Sequence, residues 1–219
     1  MRGEHDLARL RGVLRSASVS DSLDAAGSRT HCLPAAIRPI APLANTFVGY
    51  AFPVTAERVY ALPVERYVGL LAALDAVEKD EVVVVSVPGA LDVALWGELL
   101  STSCQAKGVA GVICDGAVRD SIQIEALGFP CFARGTVPYD INGRAEIVGH
   151  GGPIEIEGVT VHRGDLVVGD GDGITIVPQD YISDVVASSS TKTAVEAEFL
   201  QALADGMPIS AAFAKFGVL

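Results

Sequence analysis

The spacing of hydrophobic residues changes several times along the first eighty positions, and each change predicts an element. Apolar residues recur at roughly helical spacing between Glu4 and Ser16 and again between Glu65 and Val77. Serine and aspartate residues open a shorter helix from Asp21 to Ala26, which Gly27 ends. The stretch from Pro34 to Val54 contains β-forming runs interrupted by prolines, so it predicts strands.

The middle of the chain alternates between buried strands and helices. Glu81 to Val87 contains an unbroken β-branched run, which is typical of a central strand covered on both faces. The next four segments are predicted as helix, strand, helix and strand: Asp92–Lys107, Val109–Cys114, Ser121–Leu127 and Pro130–Arg134. This alternation indicates right-handed crossover units and a largely parallel sheet.

The pattern changes again after Asn142–Gly143, where glycine turns separate short strands. These strands predict a β-rich layer packed against the first sheet, and a long helix from Pro178 to Leu203 and a short one from Pro208 to Phe216 follow. We therefore predict one α/β domain over residues 1–219, with N-terminal helices within 1–30 and C-terminal helices within 178–219.

Composition narrows the functional classes. Half of the 219 residues are hydrophobic, which allows a sizeable core, and the net charge of −11 argues against a nucleic-acid partner. The N-terminus lacks the apolar segment of a signal peptide, and no apolar run is long enough to span a membrane. The four cysteines show no CxxC spacing and the four histidines are not grouped, so we expect reduced thiols in a cytoplasmic protein and no zinc site.

Candidate chemistry is concentrated at the predicted turn from Asp115 to Asp120, after the strand Val109–Cys114. Arg119 could bind an anionic substrate through its planar guanidinium, and Asp120 could ligate a hard divalent cation together with water and substrate oxygens. The alternative is that Asp120 caps the Ser121–Leu127 helix while Arg119 pairs with it at the surface. Spacing alone favours neither interpretation.

Two sequence runs carry a resemblance to a known family. They are WGELLSTSCQAKGVAGVICDGAVRD, followed by GFPCFARG, and INGRAEIVGHGGPIEIEGVTVHRGDLVVGDGDGITIVP. They resemble the class II 4-hydroxy-4-methyl-2-oxoglutarate aldolases and the regulator of ribonuclease E activity A (RraA), a family often mislabelled as dimethylmenaquinone methyltransferases. The likeness covers most of the chain and is looser over the first thirty residues.

The resemblance implies an α/β/β sandwich of the swivelling β/β/α type, assembled as a homotrimer or as a hexamer of paired trimers. It also implies a set of substrate-binding groups, with Arg119 holding the substrate carboxylate and Asp120 holding Mg²⁺ or Mn²⁺. The backbone of four further residues would line the substrate: Gly97, Glu98, Leu99 and Leu100. Relatives with aldolase activity usually carry an acidic residue three positions after the aspartate. Gln123 occupies that position here, and Asp115 and Glu125 are the acidic residues that could compensate.

The implied reaction is cleavage beside a small 2-keto acid. A 4-hydroxy-2-oxo diacid would yield pyruvate and a second keto acid, and oxaloacetate would lose carbon dioxide through the same pyruvate enolate. The alternative is a non-catalytic regulator of the RraA type, which binds a ribonuclease or another protein partner. Both functions use the same fold.

Overall fold

The described part of the chain folds around a mixed sheet of eight strands. The computed structural model describes residues 6–43, 46–87 and 92–217. The strands are β1 Arg38–Pro39, β2 Phe47–Arg58, β3 Glu81–Ser86, β4 Gly111–Val118, β5 Cys131–Thr136, β6 Ala145–His150, β7 Ile154–Ile156, β8 Val159–Val161, β9 Leu166–Gly169 and β10 Ile174–Val177. The helices are α1 Leu7–Val13, α2 Ser16–Ala25, α3 Val68–Ala76, α4 Glu98–Ala106, α5 Ser121–Leu127, α6 Ile182–Ala204 and α7 Ile209–Phe216. A 3₁₀ turn, Gln179–Tyr181, precedes α6.

The predicted parallel sheet forms the centre of the fold. The strand order is β1-β5-β4-β3-β2-β9-β10, and the four strands from β5 to β2 are parallel to their neighbours. The long strand β2 pairs through its first half with β9 and through its second half with β6, both antiparallel. The carboxyl ends of β3, β4 and β5 therefore lie at one edge, where α/β proteins commonly place their sites.

Alternating side chains of the central strands enter two different cores. Val82 and Val84 of β3 pack with the β7–β8 hairpin, whereas Val83 and Val85 pack beneath α3, α4 and α5. A third core joins β9 and β10 to α1, α2 and the start of α6. The α/β class with a second β layer is confirmed. That layer is smaller than predicted because β6, β9 and β10 join the main sheet, and among the described strands only the β7–β8 hairpin remains separate.

Several boundaries differ from the prediction. β4 continues to Val118 because a bulge between Cys114 and Ala117 lets it pair with β5 again, so Asp115 lies in a strand and not in a turn. α4 begins at Glu98 rather than Asp92, since the amides of Ala94 and Leu95 bond to the carbonyls of Tyr139 and Ala117.

The helices nearer the termini also shift. α2 begins at Ser16 and not Asp21, and α3 begins at Val68 and not Glu65. The predicted start of the first helix at Glu4 lies outside the described residues. In the part of the chain that the structure describes, no helix has the length and apolar character needed to cross a lipid bilayer.

Candidate functional site

Arg119 and Asp120 connect the carboxyl end of β4 to α5. Asp120 has a left-handed backbone (φ 58°, ψ 37°) and its side chain does not cap α5. Its Oδ2 atom instead accepts a hydrogen bond of 3.1 Å from the backbone amide of Glu98, the first residue of α4. The structure therefore rejects the capping interpretation, although Arg119 Nε does lie 3.7 Å from Asp120 Oδ2.

Gly97 is the first residue of the GELL motif (Gly97 to Leu100) and allows this motif to approach Arg119 and Asp120 closely. A Cβ atom at this position would lie 2.6 Å from Asp120 Oδ2 and 3.2 Å from Arg119 Cγ, so a larger residue would displace the carboxylate. Trp96, the residue before Gly97, holds the two segments together, because its carbonyl accepts a 2.9 Å hydrogen bond from the backbone amide of Arg119. The buried Trp96 indole donates to Ser101 Oγ at 2.9 Å, and this hydroxyl donates to the Gly97 carbonyl at 3.1 Å.

The remaining members of the GELL motif differ in their exposure. Leu99 is largely exposed, whereas Leu100 packs against the core under the helices. The motif thus directs the amino end of α4 towards Asp120, and the N–H groups of a first helical turn favour anionic groups. The predicted role of its backbone as a substrate-facing surface stays a prediction.

A second carboxylate, absent from the sequence prediction, lies beside Arg119. Asp140, in the connection between β5 and β6, places Oδ1 3.6 Å from Arg119 Nη1. Its Oδ2 accepts a hydrogen bond of 2.6 Å from the hydroxyl of Tyr67, which raises the pKa of Tyr67 above its ordinary value. The side chains of Arg119 and Asp120 are 39% and 37% exposed, so a ligand can reach both.

The three accessory candidates lie in different surroundings. Asp115 forms a 2.5 Å hydrogen bond with Arg134 Nε, and Arg134 also reaches Glu157 in the turn of the β7–β8 hairpin. Burial raises the pKa of Asp115, and the contact with Arg134 opposes that shift. Glu125 lines a cavity of about 550 Å³ at the amino ends of the parallel strands, away from Asp120. Gln123 occupies an exposed position on α5.

The donor groups fit one kind of metal site. Within the described residues, no group of three or more His, Cys, Asp or Glu side chains is arranged to hold a metal ion. A lone carboxylate such as that of Asp120 suits Mg²⁺ or Mn²⁺ where water and substrate supply the other oxygens. A structural zinc site takes several sulfur or nitrogen ligands, which the carboxylate of Asp120 does not supply.

Two relatives resemble this chain over much of its length. Protein DlpA from Legionella pneumophila is 28% identical over 201 residues, which are 90% of this chain and 31% of DlpA. A Halalkalibacterium halodurans protein named "Putative 4-hydroxy-4-methyl-2-oxoglutarate aldolase" is 31% identical over 138 residues, which are 63% of this chain and 65% of that protein. The matched region thus spans about a third of the first relative and just under two thirds of the second.

Solved structures agree with the fold. An uncharacterized protein from Pseudomonas syringae pv. tomato superposes with a TM-score of 0.83 at 30% identity, covering 94% of this chain and 95% of that one. RraAS2 from Streptomyces coelicolor, described as an unusual member of the RNase ES inhibitor RraA protein family, gives a TM-score of 0.79 at 28% identity. That comparison covers 91% of this chain and 98% of RraAS2.

The family model described as RraA-like, Aldolase/RraA, matches residues 16–176. This segment contains the GELL motif, Arg119, Asp120 and all ten strands of the described residues except the last residue of β10. With this match, the chain belongs to the Aldolase/RraA family.

Proposed function

We propose that this protein is a divalent-metal-dependent lyase that cleaves small 4-hydroxy-2-oxo diacids to pyruvate and a second keto acid, and that it also decarboxylates oxaloacetate. The observation that carries the proposal is the approach of Arg119 and Asp120 to the amino end of α4. The guanidinium of Arg119, the carboxylate of Asp120 and the N–H groups at the start of α4 thus face a common, partly exposed space. The name of the Halalkalibacterium halodurans relative supports the same reaction class.

Each group has a distinct task in this reaction. Asp120 would hold Mg²⁺ or Mn²⁺, which when bound acts as a Lewis acid on the keto acid. Arg119 would bind the substrate carboxylate and hold the negative charge that develops as the bond beside the keto group breaks. The electron pair of that bond passes to the pyruvate enolate. The first turn of α4 adds backbone donors for the same charge.

The two reactions make different demands on a base. Oxaloacetate loses carbon dioxide without removal of a hydroxyl proton, whereas aldol cleavage requires that the 4-hydroxyl proton be taken up. The amide of Gln123 cannot take up that proton, and Asp115 is engaged by Arg134 on another face of the sheet. We therefore expect decarboxylation to depend on Arg119 and Asp120 alone, and aldol cleavage to be the slower of the two.

The test is pyruvate release from oxaloacetate and from 4-hydroxy-4-methyl-2-oxoglutarate, with Mg²⁺ or Mn²⁺ and then with excess chelator. We expect Asp120→Asn to remove the chelator-sensitive rate, since the amide is a poor ligand for a hard cation. Asp75→Asn, an exposed position at the end of α3, is the matched control and should retain the rate. Full activity in Asp120→Asn would disprove the metal assignment.

The second candidate function is a non-catalytic regulator, and the similarity to RraAS2 favours it. A regulator would act through its surface and would not require Asp120. If wild-type protein and Asp120→Asn inhibit a ribonuclease of the E type equally, and neither releases pyruvate above the metal background, the regulator is the correct assignment.

A further inference from the structure

We propose that Tyr67 and Asp140 form a positioning pair that holds Arg119 away from Asp120 and so keeps the Asp120 carboxylate available to the metal. The inference rests on the proposed function, because it concerns how the same site is kept open. Its starting point is that Arg119 lies between two carboxylates, and only one of them faces the amino end of α4.

The guanidinium of Arg119 lies at nearly equal distances from the carboxylates of Asp120 and Asp140. Nε lies 3.7 Å from Asp120 Oδ2 and Nη1 lies 3.6 Å from Asp140 Oδ1. Both distances exceed those of a charged hydrogen bond, so neither carboxylate locks the guanidinium. If the charge of Asp140 were removed, the attraction towards Asp120 would be unopposed. Arg119 would then move onto the oxygen that the metal requires.

Asp140 is itself held in place by the backbone and by Tyr67. Ala94 bridges to both Ala117 and Asp140, and its amide donates to the Tyr139 carbonyl at 2.8 Å. The loop that carries Asp140 is therefore attached to the segment that leads into Gly97. The Tyr67 hydroxyl donates to Asp140 Oδ2 at 2.6 Å and leaves Oδ1 directed at Arg119.

The backbone of Tyr67 is the second independent sign of a constrained position. Tyr67 adopts φ 63° and ψ 15°, a left-handed conformation that is unfavourable for a tyrosine. In the described chain, the non-glycine residues with positive φ are four, and two of them, Tyr67 and Asp120, belong to this site. Strained residues are often retained where a side chain must be aimed at a functional group.

A purely structural role for the Tyr67–Asp140 contact is the competing interpretation, since it also ties the start of α3 to the β5–β6 connection. Stability measurements alone would not separate the two roles. Measuring the affinity for Mn²⁺ separates them, because only the positioning role affects Asp120, through the position of Arg119.

The experiment measures Mn²⁺ binding by electron paramagnetic resonance on purified protein, with and without oxalate, in Tyr67→Phe and Asp140→Asn. The matched control is Tyr139→Phe, which removes a neighbouring exposed hydroxyl while the ring stays beside Arg144. We expect Asp140→Asn to weaken Mn²⁺ binding about fivefold. Tyr67→Phe should weaken it in the same direction by less, and the control should bind like wild type.

Asp140→Asn made in an Arg119→Gln background separates positioning through Arg119 from direct attraction between Asp140 and the metal ion. If Asp140 acts through Arg119, Asp140→Asn has no further effect once the guanidinium is absent. An undiminished loss in that background, or wild-type affinity in both Tyr67→Phe and Asp140→Asn, would overturn the inference. Failure of the wild-type protein to bind Mn²⁺ would instead refute the proposed function, and the inference with it.

Discussion

Gly97 is the residue at which the two motifs of the candidate site come closest, and it provides a sharp test of that site. Its extended backbone (φ −163°) suits any residue, so the need for glycine comes from the side chains that an added Cβ would meet, Asp120 at 2.6 Å and Arg119 at 3.2 Å. Because the obstructing atom is the tip of a side chain, Gly97→Ala should displace the carboxylate and leave the fold intact. We expect loss of most chelator-sensitive turnover, while the free energy of unfolding changes by less than about 1 kcal/mol.

The control for this substitution is Gly135→Ala on β5, where an added Cβ has no neighbour within 4 Å among the residues that the structure describes. Both variants are compared by urea unfolding and by pyruvate release. If Gly97→Ala turns over at the wild-type rate, the position of the Asp120 carboxylate is not critical to the reaction.

The residues of the site differed in how well they could be predicted from the sequence. Arg119 and Asp120 were identified because they follow a strand and precede a helix, which is a local pattern. Tyr67 and Asp140 were missed because 73 positions separate them and only the tertiary fold brings them together. Asp115 was grouped with Arg119 on the assumption that β4 ends at Cys114. The bulge after that residue keeps Asp115 in the strand, beside Arg134.

At the scale of elements, the sequence predicted the buried parallel strands best. β3 is apolar on both faces in the sequence because both of its faces are covered, by helices on one side and by the hairpin on the other. The start of α4 was less predictable, since residues 93–95 extend the sheet through backbone bonds to distant segments. Such long-range bonds cannot be predicted from the local helix-forming pattern of the sequence.

The first residue of β3 offers a stability test that is independent of the site. Glu81 is 1% exposed, and its carboxylate pairs with Arg163, whose Nε lies 3.0 Å from Oε1 and whose guanidinium stacks 4.7 Å from the Phe52 ring centre. Arg163→Met keeps the aliphatic stem but removes this partner from a desolvated carboxylate. We expect the free energy of unfolding in urea to fall by about 3 kcal/mol.

The matched control is Arg29→Met, because Arg29 pairs with Asp24 at the surface and is 76% exposed. This variant should lose less than about 1 kcal/mol. Folded Arg163→Met should retain chelator-sensitive turnover, since Glu81 lies at the amino end of β3, opposite the candidate site. Equal stability of the two variants would contradict the role of the buried pair.

At the scale of the whole molecule, an exposed apolar strip lies beside the candidate site. It consists of large hydrophobic residues between positions 60 and 71: Tyr60, Leu62, Val64, Tyr67, Val68 and Leu71. Exposed apolar surface commonly marks a protein interface. Tyr67 belongs both to the strip and to the positioning pair, so an interface here would border the site. We therefore propose that the strip packs against a second copy in a homotrimer or in a hexamer of paired trimers.

Light scattering on purified protein tests the assembly. We expect a mass about three or six times the 22.7 kDa of one chain, because burial of the strip would stabilise association. Val64→Glu places a charge where the wild-type residue is fully exposed in one subunit, so it should cost little in folding but should lower the measured mass. Thr160→Glu, on the exposed side of β8, is the control and should leave the mass unchanged.

A wild-type mass of one chain, or a Val64→Glu protein that assembles like wild type, would show that the strip is not the contact between copies. If dissociation of Val64→Glu also removes turnover at concentrations where the chain stays folded, the site depends on the neighbouring subunit.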